Sequence, residues 1–120
     1  MNEKNKQIIE SGQAILGIEF GSTRIKAVLI DPDYNPIAQG SHTWENSLVN
    51  GLWTYSIEEI WYGLQNCYVN LRANVKEQYD VEIESLAAIG ISAMMHGYMA
   101  FDKNEKILVP FRTWRNTNTA

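Results

Sequence analysis

The chain has 120 residues, 45% of them hydrophobic and 20% charged, with a net charge of −4. That is about one domain's worth of chain with enough apolar content for a core, which excludes a disordered segment. The acidic balance carries no basic block, which argues against a nucleic-acid surface, and no apolar run approaches the roughly 20 residues of a membrane span.

The opening MNEKNKQIIESGQ, residues 1–13, is polar and charged without the apolar centre of a signal peptide, and reads as a flexible tail. The single Cys67 excludes an internal disulfide and fits a reducing compartment, so a cytoplasmic location is expected, with no membrane partner. Ala14–Phe20 and Ile25–Ile30 are short apolar runs of strand length, and the few residues between them predict an antiparallel hairpin. The turn-forming DPDYNP sends Ile37–Trp44 back as a third strand, and ENSLVNG reads as a polar loop.

Ser56 and Glu59 have capping-box spacing, and Ile57, Ile60, Trp61, Leu64, Tyr68, Leu71 and Val75 repeat as one helical stripe bordered by Cys67. KEQYD leads out of that helix, and Leu86–Ala93 is apolar enough for a central strand. Tyr98–Phe101 and Ile107–Val109, joined by DKNEK, predict a final hairpin. The result is an α/β chain in which a mixed sheet of order βββαβ is followed by a hairpin. The helical crossover lets the fourth strand run parallel to a neighbour. One long helix covers only part of one sheet face, and TWRNTNTA closes no element, so the chain is expected to be the front part of a larger protein.

Three stretches carry chemistry. In GIEFGSTRIK, the backbone N–H groups of Gly21, Ser22 and Thr23 offer a nest for a phosphate, with Lys26 or Arg24 to balance charge. Glu19 beside such phosphates makes sense with a cation, and Mg²⁺ held partly through water fits. A plain hairpin with an edge carboxylate would leave the same residues in place. In GISAMMHGYMAFD, Met94, Met95, His96 and Gly97 follow a buried strand, where ligands bind in open α/β sheets. His96 there suits a polyhydroxy ligand, and a core histidine is the competing reading. In PFRTWRNTNT, Trp114 among Arg112, Arg115, Asn116 and Asn118 has the composition of a sugar-binding wall or of an ordinary surface loop. His42 has no partner spacing, and neither a P-loop nor a G-x-G-x-x-G segment occurs.

Taken together, LGIEFGSTRIKAVLID, the helix opening near a Trp, GISAMMHGYMAFD and P-x-x-x-W resemble the N-terminal part of the FGGY family of carbohydrate kinases, over Ala14–Thr119. The Met-His-Gly stretch is most similar to the xylulokinase branch. The resemblance implies a ribonuclease H-like, actin-type ATPase fold, with 14–120 forming the first part of the N-terminal domain of a two-domain sugar kinase. It implies ATP and Mg²⁺ as cofactors and transfer of phosphate to a sugar hydroxyl, a ketose such as xylulose being the expected substrate. It places phosphate and Mg²⁺ contacts at Glu19, Gly21, Ser22 and Thr23, and sugar contacts at Met95 and His96. The family's catalytic aspartate and adenine site fall beyond residue 120, so this chain alone is expected to be inactive. Two positions depart from the family: Glu19 stands where Asp is usual, and Trp114-Arg115-Asn116-Thr117-Asn118 replaces W-x-D-x-R. Another actin-type ATPase, or a non-catalytic sugar-binding module of the same fold, remains an alternative, and homo-oligomerisation is left open.

Overall fold

A computed structural model of the chain describes residues 2–94 and 97–113. Its elements are α1 (Asn2–Glu10), β1 (Ile15–Phe20), β2 (Arg24–Ile30), β3 (Pro36–Thr43), β4 (Ser47–Val49), β5 (Leu52–Thr54), α2 (Ile57–Tyr79) and β6 (Ala88–Ala93). The main sheet has the order β3-β2-β1-β6, and β4 and β5 pair separately.

The meander follows from alternation. Ile25, Ala27 and Leu29 are buried while Arg24 and Lys26 between them are exposed, so β2 turns one face to the core and the other outward. Leu16 lies opposite Leu29 and Ile18 opposite Ala27, which carries the apolar face onto β1. After the crossover, β6 runs parallel to β1, as the helical connection requires.

Helix α2 opens with the predicted capping box. The Ser56 hydroxyl accepts the Glu59 N–H at 3.0 Å, and the Glu59 carboxylate reaches back to the Ser56 N–H at 3.4 Å. Its buried face, however, is Gly63, Cys67, Leu71, Val75 and Tyr79, with Ile60 and Tyr68 packed at the margin. Trp61, expected in the stripe, is 59% exposed. Small residues explain the rotation: the helix lies so close to the sheet that a Cβ on Gly63 would meet the Ile25 side chain at 2.8 Å. Cys67 is therefore central, a free thiol donating weakly to the Ile25 and Gly40 carbonyls at 3.5 and 3.6 Å. Burial pushes its pKa up.

Several expectations are corrected. The expected tail, residues 1–13, is ordered over its described residues: α1 spans Asn2–Glu10 and buries Ile8 and Ile9. Its end is a Schellman cap, with the Gln13 N–H bonded to the Ile8 carbonyl, the Gly12 N–H to that of Ile9, and Gly12 at φ 73°. Two isoleucines are too few to signal a helix by period, so its stability comes from tertiary packing, including the Asn5 side chain on the Tyr79 hydroxyl at 3.2 Å. ENSLVNG is not wholly loop, because Ser47–Val49 pairs with Leu52–Thr54. KEQY continues α2 to Tyr79, and a left-handed Asp80 ends it, its N–H on the Lys76 carbonyl. The final hairpin is reduced to two isolated bridges, Tyr98 with Arg112 and Phe101 with Ile107.

The largest correction concerns β6. It lies at a sheet edge rather than in the centre, and Ile89 and Ile91 are 58% and 69% exposed. Helix α2 packs on β3 and β2 and leaves the β6 side of that face open, the shortage of cover that one helix predicts. No helix among the described residues is long and apolar enough to cross a membrane.

Candidate functional site

Residues 21–23 connect β1 to β2, and the turn is held from beneath. The Gly21 N–H bonds the Arg24 carbonyl at 2.9 Å, so it is not a free donor of the expected nest, because the turn itself uses it. A Cβ on Gly21 would lie 2.9 Å from that same carbonyl oxygen, so the turn closes this tightly only around glycine. The Trp44 indole N–H donates to the Gly21 carbonyl at 2.8 Å, and the Trp44 backbone N–H to that of Thr23 at 3.1 Å. The Tyr55 hydroxyl donates to the Ser22 carbonyl at 2.5 Å. Burial, with Glu59 nearby adding to it, pushes the Tyr55 phenol above its ordinary range, so it stays a donor.

Glu19 is not in the core, as a carboxylate closing a buried strand would be. It is exposed on the sheet face opposite α2, directly across from Lys26 on one side and Ser92 on the other. Its carboxylate reaches toward the turn, with Oε1 3.9 Å from where a Gly21 Cβ would sit. Among the described residues, no ion pair engages it. Glu19, Lys26, Ser92, Val28 and the paired Gly17 and Gly90 line one open concavity. A Cβ added at Gly90 would meet nothing within 4 Å, so this floor is flat and unfilled.

The structure thus brings Glu19, Gly21, Ser22, Thr23 and Lys26 together at one end of the open sheet face. Ser22, Thr23 and Arg24 are exposed there. Met95, His96 and Trp114 lie outside the described residues. Arg112 pairs by its backbone with Tyr98, at 3.1 and 3.2 Å. His42, assigned no role, receives the Asn66 amide at 3.0 Å and stands edge-on to Tyr62. Sequence reasoning missed Ser92 as a neighbour of Glu19, a consequence of the parallel register, and missed Trp44 and Tyr55 behind the turn.

The donor set suits magnesium better than a transition metal. One exposed carboxylate with hydroxyls nearby is what Mg²⁺ uses when it keeps most of its water and takes phosphate oxygens as further ligands. Among the described residues, no group of three or more His, Cys, Asp or Glu side chains forms a dedicated metal cage.

A second concavity of about 450 Å³ lies on the helix side of β6, lined by Phe20, Trp44, Tyr55, Ile91, Met99 and Phe111 among others. It is apolar and holds no carboxylate, so it is not where phosphate chemistry belongs.

Comparison with known proteins bears on the fold and the family. No curated protein sequence matches the chain. Among solved structures, a xyloylose kinase from Brucella ovis superposes with a TM-score of 0.74 at 24% identity, over 88% of this chain and 22% of that one. A gluconate kinase from Lactobacillus acidophilus gives 0.66 at 22% identity, over 84% and 19%. The ligand-bound xylulose kinase of the same organism gives 0.65 at 22% identity, again over 84% and 19%. The chain therefore spans about a fifth of the length of these structures. The shared architecture is the actin-type ATPase fold, a mixed sheet with its crossover helix. Residues 14–120 match the N-terminal domain of the FGGY family of carbohydrate kinases, and the chain belongs to that family.

Proposed function

We propose that the full-length protein transfers the γ-phosphate of ATP to a hydroxyl of a sugar, with a ketose such as xylulose as the leading substrate. The observation that carries this reading is the Gly21–Thr23 turn beside Glu19 on an open, glycine-floored sheet face. Exposed N–H groups and hydroxyls there suit phosphate oxygens, and Lys26 adds a positive charge across from Glu19. Glu19 would hold Mg²⁺ through water, and the ion's chemistry is charge neutralisation on the phosphates. Phosphoryl transfer asks a protein mainly for position and electrostatics, which this turn is built to supply. The sugar hydroxyl attacks the γ-phosphorus and gives its proton to the aspartate base that the family resemblance places beyond residue 120, the bridging bond to the β-phosphate breaks, and ADP leaves. Met95, His96 and Trp114 make the sugar wall in this reading. The substrates named for the xylulose kinase neighbours support the choice of a ketose.

The test is sugar-dependent ADP release by the full-length protein across a panel of ketoses, aldonates and polyols. Turnover with a ketose at the highest kcat/KM is expected, and the 120-residue chain alone should show none. Sugar and nucleotide binding without turnover would leave a sugar-binding module instead. Equal turnover by the short chain would overturn the two-domain reading.

A further inference from the structure

Trp44 follows β3 and Tyr55 precedes the N-cap of α2, yet their rings stack at 4.1 Å and 26°. Both are buried, and Phe20 and Phe111 tilt onto the pair at 6.4 and 5.6 Å. From this fixed platform come three hydrogen bonds, one to each carbonyl of Gly21, Ser22 and Thr23. A trans peptide is planar, so each carbonyl and the N–H that follows it point in opposite directions. With the three carbonyls turned in toward the platform, the N–H groups of Ser22, Thr23 and Arg24 are turned outward. Among the described residues, no acceptor takes the Ser22 or Thr23 N–H.

We propose that Trp44 and Tyr55 are positioning residues, an aromatic clamp whose hydrogen bonds fix the three peptides between Gly21 and Arg24 so that the N–H groups of Ser22, Thr23 and Arg24 face the nucleotide phosphates. The proposal rests on the phosphate reading of that turn. A short exposed turn carrying a glycine has little else to prevent its peptides from rotating. Holding them in advance removes the ordering cost that phosphate binding would otherwise carry. The clamp touches neither nucleotide nor sugar, and it acts through the backbone alone.

The test uses the full-length protein with Trp44→Phe, Tyr55→Phe and the double variant. Each keeps an aromatic ring in the stack and removes a side-chain donor. Each single variant should lower kcat/KM for ATP roughly 5- to 10-fold, and the double variant more, while the sugar Kd measured without nucleotide stays within about 2-fold. Val75→Ala serves as the control, since Val75 is fully buried on the inner face of α2 and makes no hydrogen bond to the turn. It should lower the melting temperature without moving the ATP parameters. If the double variant behaves like Val75→Ala, losing stability with unchanged ATP kinetics, the clamp is only packing and the proposal is overturned. If the wild-type protein shows no affinity for ATP, the phosphate reading itself falls and takes this one with it.

Discussion

A Cβ on Gly40 would stand 2.3 Å from the Leu71 amide nitrogen and 2.8 Å from the Cys67 carbonyl oxygen. Strand β3 and helix α2 are in backbone contact there. Gly40→Ala has no flexible neighbour to displace, so it should cost about 3 kcal/mol, the upper range for overpacking. Gly63→Ala pushes on the ends of the Ile25 and His42 side chains and gains about 1 kcal/mol of helix propensity, so it should cost far less. Urea unfolding of both variants in the full-length protein checks the order. Equal losses would mean that the contact at Gly40 relaxes easily.

The turns after β2 and after Phe101 are copies of one design. Asp31 accepts the Asp33 and Asn35 N–H groups at 2.9 and 2.8 Å, and Asp102 accepts those of Asn104 and Lys106 at 2.8 and 3.0 Å. In each, the left-handed position that favours glycine holds another residue, Tyr34 at φ 69° and Glu105 at φ 66°. Relief of that backbone cost, about 1–2 kcal/mol, exceeds the added chain entropy of glycine, about 0.5–1 kcal/mol. Tyr34→Gly should therefore raise stability by about 0.5 kcal/mol. A lower melting temperature would show that the exposed tyrosine ring contributes packing of its own.

Asp31 also sets an acid limit. The Asn35 backbone N–H, with the Asn35 side chain and the Asp33 N–H, holds its carboxyl below the ordinary range. A carboxyl whose folded value is depressed stabilises the fold above its unfolded value, near pH 4, and that contribution is lost as pH falls through the folded value. The stability gap between wild type and Asp31→Asn should be constant near neutrality and close below about pH 4. A gap independent of pH would assign the effect to geometry rather than charge.

Asn66, Asn70, Asn74 and Gln78 stand four residues apart along α2. Asn74 accepts the Gln39 N–H at 3.1 Å, and Asn70 donates to the Ser41 carbonyl at 2.8 Å, while Gln78 braces Asn74. Asn70 and Asn74 thus occupy outward backbone groups of edge strand β3, which would otherwise be open to pairing with another chain. Asn70→Ala with Asn74→Ala should cost about 1–2 kcal/mol and raise self-association in analytical ultracentrifugation. An unchanged sedimentation profile would show that the edge is protected by other means.

Legibility followed the range of the interactions. The β1–β2–β3 meander and the capping box of α2 rest on neighbours a few residues apart, and their apolar runs and turn formers stand in the sequence. The exposed face of β6 was inferred only as a shortage of cover, because its position at the edge depends on what pairs with it. Helix α1 carried one local signal, Gly12 after a polar segment, but its two isoleucines gain stability only against the folded core. At the site, Glu19 and Gly21–Thr23 were legible as a turn with an unexplained carboxylate. The clamp was not, since Trp44 and Tyr55 reach the turn across 23 and 33 residues of chain. Ser92 became a neighbour of Glu19 only through the β1–β6 register.

Glu19 carries the most direct test of the whole account. Glu19→Gln in the full-length protein keeps the size and hydrogen-bonding reach of the side chain and removes its charge. If Glu19 serves the phosphate site through Mg²⁺, steady-state kinetics should show kcat lower by about 10²- to 10³-fold, with the sugar Kd nearly unchanged. An unaltered kcat at saturating ATP and Mg²⁺ would contradict the account and return Glu19 to an ordinary exposed strand residue.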